Sequence, residues 1–175
     1  PKREENTGKV LSPYAVTKSP FEDYARVFHL IHVTETIGLR YFNVFGPRQS
    51  PEGPYAAVIP LFMQSIHRGQ PPTIFGDGEQ TRDFTYIENV VEANLLALFG
   101  DSKESYGGVF NVATGRTISI NALFDTIQNS MSDYLGKETS IAPIYEPPRD
   151  GDIKGSLADL SSVTRSLGYS PKKWP

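Results

Sequence analysis

Tyr14 and Lys18 stand four residues apart in Ser12-Pro13-Tyr14-Ala15-Val16-Thr17-Lys18. On a helix, both side chains would rise from one face with Cβ atoms roughly 5–6 Å apart. An ammonium held there favours the anionic form of a phenol, drawing a pKa of about 10 toward neutrality so that the tyrosine can take a proton as a general base. The same two residues also describe a surface tyrosine lying on an aliphatic lysine stem. Tyr169 and Lys173 repeat the spacing, but Pro171 lies between them, which predicts that no continuous helical face carries both.

The first pair needs a helix, and the residues after it supply the pattern. Phe21, Tyr24, Ala25, Phe28 and Ile31 recur at helical intervals, which predicts a helix from about Ser12 or Pro13 to His32 with that stripe as its buried side. Pro13 suits a first turn, whereas Pro20 predicts a kink. Residues 1–11 are polar and read as a loop. Thr36 to Phe45 is short, apolar and rich in β formers, and Gly46-Pro47 closes it, which predicts a buried strand and a turn. Functional groups collect just beyond such strand ends in α/β sheets.

Further along, a helix is predicted over 56–68, ended by Gly69 and Pro71. Short strands over 73–75 and 84–87 flank the turn Gly76-Asp77-Gly78-Glu79. A helix over 88–99 aligns Val91, Leu95 and Leu98 on one face and stops at Gly100. A strand over 109–112, a helix from Ser119 to about Met131, and a strand over 141–145 follow. The last helix is expected to be capped by Asp159 and ended by Gly168. Strands alternating with helices predict a mostly parallel sheet.

Composition narrows the chemistry. The 175 residues suffice for one domain, or for a domain plus part of another. With 17 Lys and Arg against 20 Asp and Glu, and no block of like charge, non-specific nucleic-acid binding is not indicated, and an anionic ligand must meet a few placed arginines. The absence of cysteine excludes disulfides, thiolate nucleophiles and cysteine-ligated metal, and suits a reducing cytoplasm. His29, His32 and His67 lack metal-ligand spacing with neighbouring carboxylates, so no metal is expected. No apolar run approaches the ~20 residues that span a bilayer, so no membrane partner is expected. The chain opens on Pro1 and ends in a turn-like stretch, which suggests a piece of a longer polypeptide. The Gly-x-Gly-x-x-Gly turn that grips a dinucleotide's pyrophosphate is not in the sequence.

Four segments together carry a resemblance: Ser12 to Lys18; Leu39-Arg40-Tyr41-Phe42-Asn43-Val44-Phe45-Gly46-Pro47-Arg48; Thr81-Arg82-Asp83-Phe84-Thr85-Tyr86-Ile87; and Pro148-Arg149-Asp150-Gly151-Asp152. In this order they resemble the extended short-chain dehydrogenase/reductase family of nucleotide-sugar epimerases and dehydratases. Within it, Gly53-Pro54-Tyr55-Ala56-Ala57-Val58-Ile59-Pro60 and Tyr86-Ile87-Glu88-Asn89-Val90 look most like the bacterial UDP-N-acetylglucosamine 4-epimerases, with UDP-glucose 4-epimerases close behind.

The resemblance implies an α/β fold: the C-terminal part of a Rossmann-like, doubly wound parallel sheet plus a small α/β substrate-binding domain. Residues 1–50 would be the remainder of the NAD-binding domain and 51–175 mainly the substrate domain, with 88–115 returning to the Rossmann sheet. NAD would be the cofactor and a UDP-sugar the substrate, in a cytoplasmic homodimer joined through the Tyr-bearing helix.

Tyr14 would be the base at the sugar 4′-hydroxyl, and Lys18 would hold the nicotinamide ribose. Tyr41, Asn43 and Val44 would lie near the nicotinamide and sugar, and the Asn43 amide would bond the substrate. Ala57 and Val58 would offer backbone groups to the substrate, and the edge around Thr73 and Phe75 would flank the uracil. Arg82 and Arg149 would clasp the diphosphate, and Asp152 would accept from a ribose hydroxyl.

Each assignment has a structural rival. Asn43 reads equally as a strand-end cap, and Ala57, Val58, Thr73 and Phe75 as packing. Arg82 beside Asp83 and Arg149 beside Asp150 read equally as exposed ionic residues, worth under about 1 kcal/mol. Ser19-Pro20 departs from the family's unbroken helix, and the family's glycine-rich loop and Ser/Thr partner precede the tyrosine and are not in this sequence. Turnover by this chain alone is therefore not expected. Rival functions are a sugar-nucleotide 4,6-dehydratase and a non-catalytic nucleotide-binding or dimerisation module.

Overall fold

A computed structural model describes residues 1–6, 8, 13–53, 56–101, 103–149 and 151–174, without the side chains of residues 13–15. Ser12, Pro54, Tyr55, Asp150 and the Tyr14 side chain thus lie outside the described residues. The elements run α1 (Pro13–His32), β1 (Gly38–Tyr41), β2 (Asn43–Phe45), α2 (Val58–Arg68), β3 (Thr73–Phe75), β4 (Thr81–Arg82) and β5 (Phe84–Tyr86). They continue with α3 (Ile87–Phe99), β6 (Val109–Val112), β7 (Ile118–Ser119), α4 (Ile120–Leu135), β8 (Ile144–Glu146), β9 (Gly155–Ser156) and α5 (Ser161–Leu167).

Two compact units emerge. Unit 1 comprises residues 1–44, 83–116 and 157–175, and unit 2 comprises 45–82 and 117–156. The sequence reading grouped 157–175 with the substrate part. In the structure Val163, Leu167 and Tyr169 pack into one core with Ala93, Phe110 and Val112 of unit 1.

In unit 1, β1 pairs in parallel with β6, Gly38 facing Val109 and Tyr41 facing Val112. Parallel neighbours need a crossover, and α3 lies within it. The single strand expected over 36–45 is two strands with different partners. Phe42 donates its N–H to Val112 O (3.1 Å), and the next residue, Asn43, donates to Asp83 O (3.2 Å). The chain thus changes partner at Phe42, where the local hydrophobic pattern shows no break.

The first helix of unit 1 reverses an expectation. Phe21, Tyr24, Phe28 and Ile31 of α1 are exposed, Phe21 and Ile31 at 67 % each. The inward side is instead Glu22, Ala25 and His29. Thr36 Oγ1 donates to Ala25 O (3.2 Å), and His29 Nδ1 bonds Thr34 O (2.9 Å). In α3, Asn89, Val90 and Ala93 are the buried side, and the face that aligns Val91, Leu95 and Leu98 is exposed. Periodicity finds an apolar face but does not say which element covers it. The helix α1 runs through Pro20 as one element.

In unit 2, α2 packs on α4, with Phe62 and Phe124 edge to face at 5.3 Å. Strand β3 pairs in parallel with β8, and β4 lies between antiparallel β7 and parallel β9. The two-residue strands β4, β7 and β9 escape sequence reading because they are too short to show alternation. Ser119 caps α4 as expected, its Oγ accepting from Ala122 N–H (3.2 Å), but the helix runs on to Leu135, where Gly136 turns left-handed. Gly78 must lack a side chain: at φ +77° a Cβ would collide with Asn121. The last helix starts one residue later than the cap reading, yet Asp159 Oδ1 still accepts from Ser161 N–H (2.9 Å).

Candidate active site

Unit 1 carries Tyr14, Lys18 and the strand-end residues. Tyr14 and Lys18 fall within the first two turns of α1, so their Cα positions share one helical face, and the Lys18 side chain is exposed. The decoy pair behaves as expected, because α5 ends at Leu167. Tyr169 is fully buried instead, its hydroxyl donating to Ala113 O (2.8 Å), and burial pushes its pKa well above the usual phenol range.

Tyr41 ends β1 with its hydroxyl donating to Asn94 Oδ1 (3.0 Å). Asn43 begins β2 with an exposed side chain, and Val44 is half-buried beside it. The main chain at Asn43 is held by Asp83, a residue for which an exposed ion is one of the two sequence readings. Asp83 is completely buried. Its Oδ1 accepts from the N–H and hydroxyl of Thr114 (2.9 and 2.6 Å), and its Oδ2 accepts from the N–H groups of Gly115 (3.0 Å) and Ala158 (3.4 Å). Four donors on one carboxylate tie three separate segments together. No local pattern marks it, because Asp83, Phe84 and Thr85 are buried in succession rather than alternately.

Unit 2 gathers the predicted phosphate and nucleotide residues. Arg82 Nη2 donates to Asp152 Oδ1, and Nη1 donates to the carbonyls of Thr81 (2.9 Å) and Ile153 (2.7 Å). The Arg82 side chain is only 12 % exposed, which removes the surface-ion reading for it. The Arg149 guanidinium lies over the Phe75 ring at 3.8 Å. A turn joins the two arrangements, Asp152 N–H donating to Arg149 O (3.2 Å). Sequence reasoning missed Gln80, whose Nε2 donates to Phe75 O (2.7 Å) and holds that strand end.

Thr73 begins β3 with an exposed side chain. Ala57 precedes α2 as its N-cap residue without a side-chain cap, and Val58 opens the helix with no acidic residue in its first turn. First-turn N–H groups lack intrahelical partners and suit an anionic or carbonyl oxygen. Among the described residues no cluster of His, Cys, Asp and Glu could hold a metal ion, and no helix is long and apolar enough to cross a membrane.

Parallel strand pairs, a helix crossing between β1 and β6, and polar residues at the strand ends define a Rossmann-like α/β chain. The chain belongs to the NAD dependent epimerase/dehydratase family, whose model matches residues 1–113. A solved UDP-N-acetylglucosamine 4-epimerase from Methanobrevibacter ruminantium M1, in complex with UDP-N-acetylmuramic acid, is 43 % identical with a TM-score of 0.86, covering 98 % of this chain and 52 % of that one. A UDP-glucose 4-epimerase from Thermotoga maritima with UDP-glucose is 39 % identical at a TM-score of 0.80, covering 94 % and 50 %. A UDP-glucuronic acid 4-epimerase from Bacillus cereus, in complex with UDP-glucuronic acid and NAD, is 32 % identical at 0.83, covering 99 % and 52 %. The chain spans about half the length of the curated relatives it matches, 49 % and 48 % of two of them.

Proposed function

We propose that this chain supplies the base and the nucleotide-sugar grip of an NAD-dependent UDP-hexose 4-epimerase, and that its substrates are UDP-N-acetylglucosamine and UDP-N-acetylgalactosamine. The observation that carries the reading is the placing of Tyr14 and Lys18 on one face of an unbroken helix, α1. The 43 % identity to a UDP-N-acetylglucosamine 4-epimerase supports the choice of sugar.

NAD suits the residues present at its nicotinamide end: Lys18 offers an exposed ammonium and Asn43 an exposed amide. When bound, NAD supplies reversible oxidation at C4′ of the sugar. Tyr14 takes the proton from the 4′-hydroxyl and returns one after the 4-keto sugar has turned over. Lys18 holds the nicotinamide ribose and keeps Tyr14 acidic, and Tyr41 and Val44 serve the nicotinamide and sugar.

On the nucleotide side, Arg82 and Arg149 neutralise the diphosphate, and Asp152 accepts from a ribose hydroxyl while holding Arg82. Thr73 and Phe75 flank the uracil, and the first-turn N–H groups after Ala57 and at Val58 meet the substrate. The exposed stripe Phe21, Tyr24, Phe28 and Ile31 on α1 is the surface we assign to a homodimer contact in a cytoplasmic enzyme. The test is to incubate the intact enzyme with UDP-N-acetylglucosamine and follow UDP-N-acetylgalactosamine by chromatography. Interconversion of UDP-glucose and UDP-galactose alone would move the substrate assignment, and no interconversion of any UDP-hexose would overturn the reading.

A further inference from the structure

Arg40, in the middle of β1, donates from Nε and Nη2 to the two carboxylate oxygens of Glu22 on α1, each at 2.6 Å. Its third donor, Nη1, goes to the carbonyl of Glu4 (2.9 Å), and Glu4 Oε1 in turn accepts from the N–H of Asn111 in β6 (2.8 Å). The pair is largely covered, Arg40 being 26 % and Glu22 33 % exposed. The bonds to Glu22 raise the pKa of Arg40 further, so the guanidinium stays charged.

Glu22 lies four residues after Lys18 on the same uninterrupted helix, as Lys18 lies four after Tyr14. Side chains at that spacing can meet on a helix, so a Glu22 carboxylate left without Arg40 would become a rival for the Lys18 ammonium. The planar guanidinium of Arg40 makes two parallel charge-assisted bonds, a better match to a carboxylate than a single ammonium offers. Arg26, one turn beyond Glu22, is directed to Asp23 (3.6 Å).

We propose that Arg40 is a positioning residue for the proton transfer: by occupying both oxygens of Glu22 it keeps that carboxylate off Lys18, so that the ammonium serves Tyr14. The proposal rests on the epimerase reading for its consequence in turnover, but the competition it describes is a property of α1 and β1. A plain staple between helix and strand would make the same contacts. The two differ in what happens when Glu22 also loses its charge. For a staple, removing either partner breaks the same bond, and removing the second changes nothing further.

The experiment compares R40M with R40M/E22Q in the intact enzyme. For R40M, kcat is expected to fall about threefold with KM within twofold, the scale of an i,i+4 ion pair strengthened by partial burial. Adding E22Q is expected to restore at least half of the lost turnover. A double variant no more active than R40M overturns the proposal. A second readout needs no activity: the titration of Lys18 followed through its 13Cε resonance. Its midpoint is expected to rise by about 0.3 pH unit in R40M and to return in the double variant, because a nearby carboxylate favours the charged form. A Lys18 midpoint that R40M leaves unmoved also overturns it. If the unaltered enzyme interconverts no UDP-hexose, the epimerase reading fails, and the Lys18 titration still decides the pairing. Should R40M not fold, R40K, which leaves a single ammonium at Glu22, is put through the same titration with the same criteria.

Discussion

The guanidinium carbon of Arg149 lies 3.8 Å from the centroid of the Phe75 ring, and the turn that begins at Arg149 delivers Asp152 to Arg82. An aromatic face thus orients one of the two assigned phosphate-binding arginines, and a carboxylate orients the other. Replacing Phe75 by leucine keeps the bulk but removes the quadrupole that holds the cation. The expected result is a two- to fivefold weaker binding of UDP, about 0.5–1 kcal/mol, measured by calorimetry. UDP affinity unchanged in both F75L and R149A would remove this pair from the nucleotide site.

Arg82 should be the more sensitive position. Its side chain spreads three contacts over two carbonyls and a carboxylate, and lysine cannot reproduce a planar fork. R82K is expected to raise the Kd for UDP about tenfold, on the order of 1.4 kcal/mol, in the same titration. A Kd within twofold of the unaltered protein would show that the residue serves only to close the 149–152 turn.

The buried Asp83 makes a prediction about stability rather than affinity. Removing its carboxylate strands the buried N–H groups of Thr114 and Ala158 and the Thr114 hydroxyl, and releases the N–H of the exposed Gly115. D83A is expected to cost about 2–4 kcal/mol, since hydrogen bonds to a charged group are each worth more than neutral ones. Urea denaturation should show a lower midpoint at constant slope. D83N, which keeps the shape and one acceptor, should lose less.

Much of the arrangement was legible in the residues, for reasons that differ from element to element. The helix α1 and the cap at Ser119 follow from local rules, because spacing and a hydroxyl near free N–H groups act within one or two turns. What failed was long-range. The stripe of α1 and the face of α3 were correctly found as apolar, but sequence periodicity carries no information on whether another surface meets them. Asp83 looked like a surface ion because its donors come from residues 31 and 75 positions away. The break at Phe42 was invisible because a strand's change of partner leaves its alternation intact.

Tyr14 is the most direct test of the chemistry. In the intact enzyme Y14F keeps the ring and removes the transferable proton, so kcat is expected to fall by about 10²–10⁴ while KM stays within twofold. Loss confined to KM would place Tyr14 in binding alone, and steady-state kinetics over a range of UDP-sugar concentrations distinguishes the two.

Tyr169 ties stability to alkaline pH. Burial raises its pKa first, with Asp83 and Glu92 adding to the shift. In the unfolded chain the phenol ionises at about pH 10. Between that value and the higher folded one, the unfolded state has lost the proton that the native state still holds, so stability falls as pH rises. The contribution is therefore complete below about pH 10 and disappears above it. At neutral pH, Y169F should cost about 1–2 kcal/mol, because Ala113 O loses its buried donor. Above pH 10 that gap should narrow, since phenylalanine has no proton to lose. Urea midpoints of both proteins at pH 7, 9 and 10.5 check the sign: a gap that stays constant would mean that Tyr169 does not titrate in the unfolded chain at these pH values, or that it does so equally when folded.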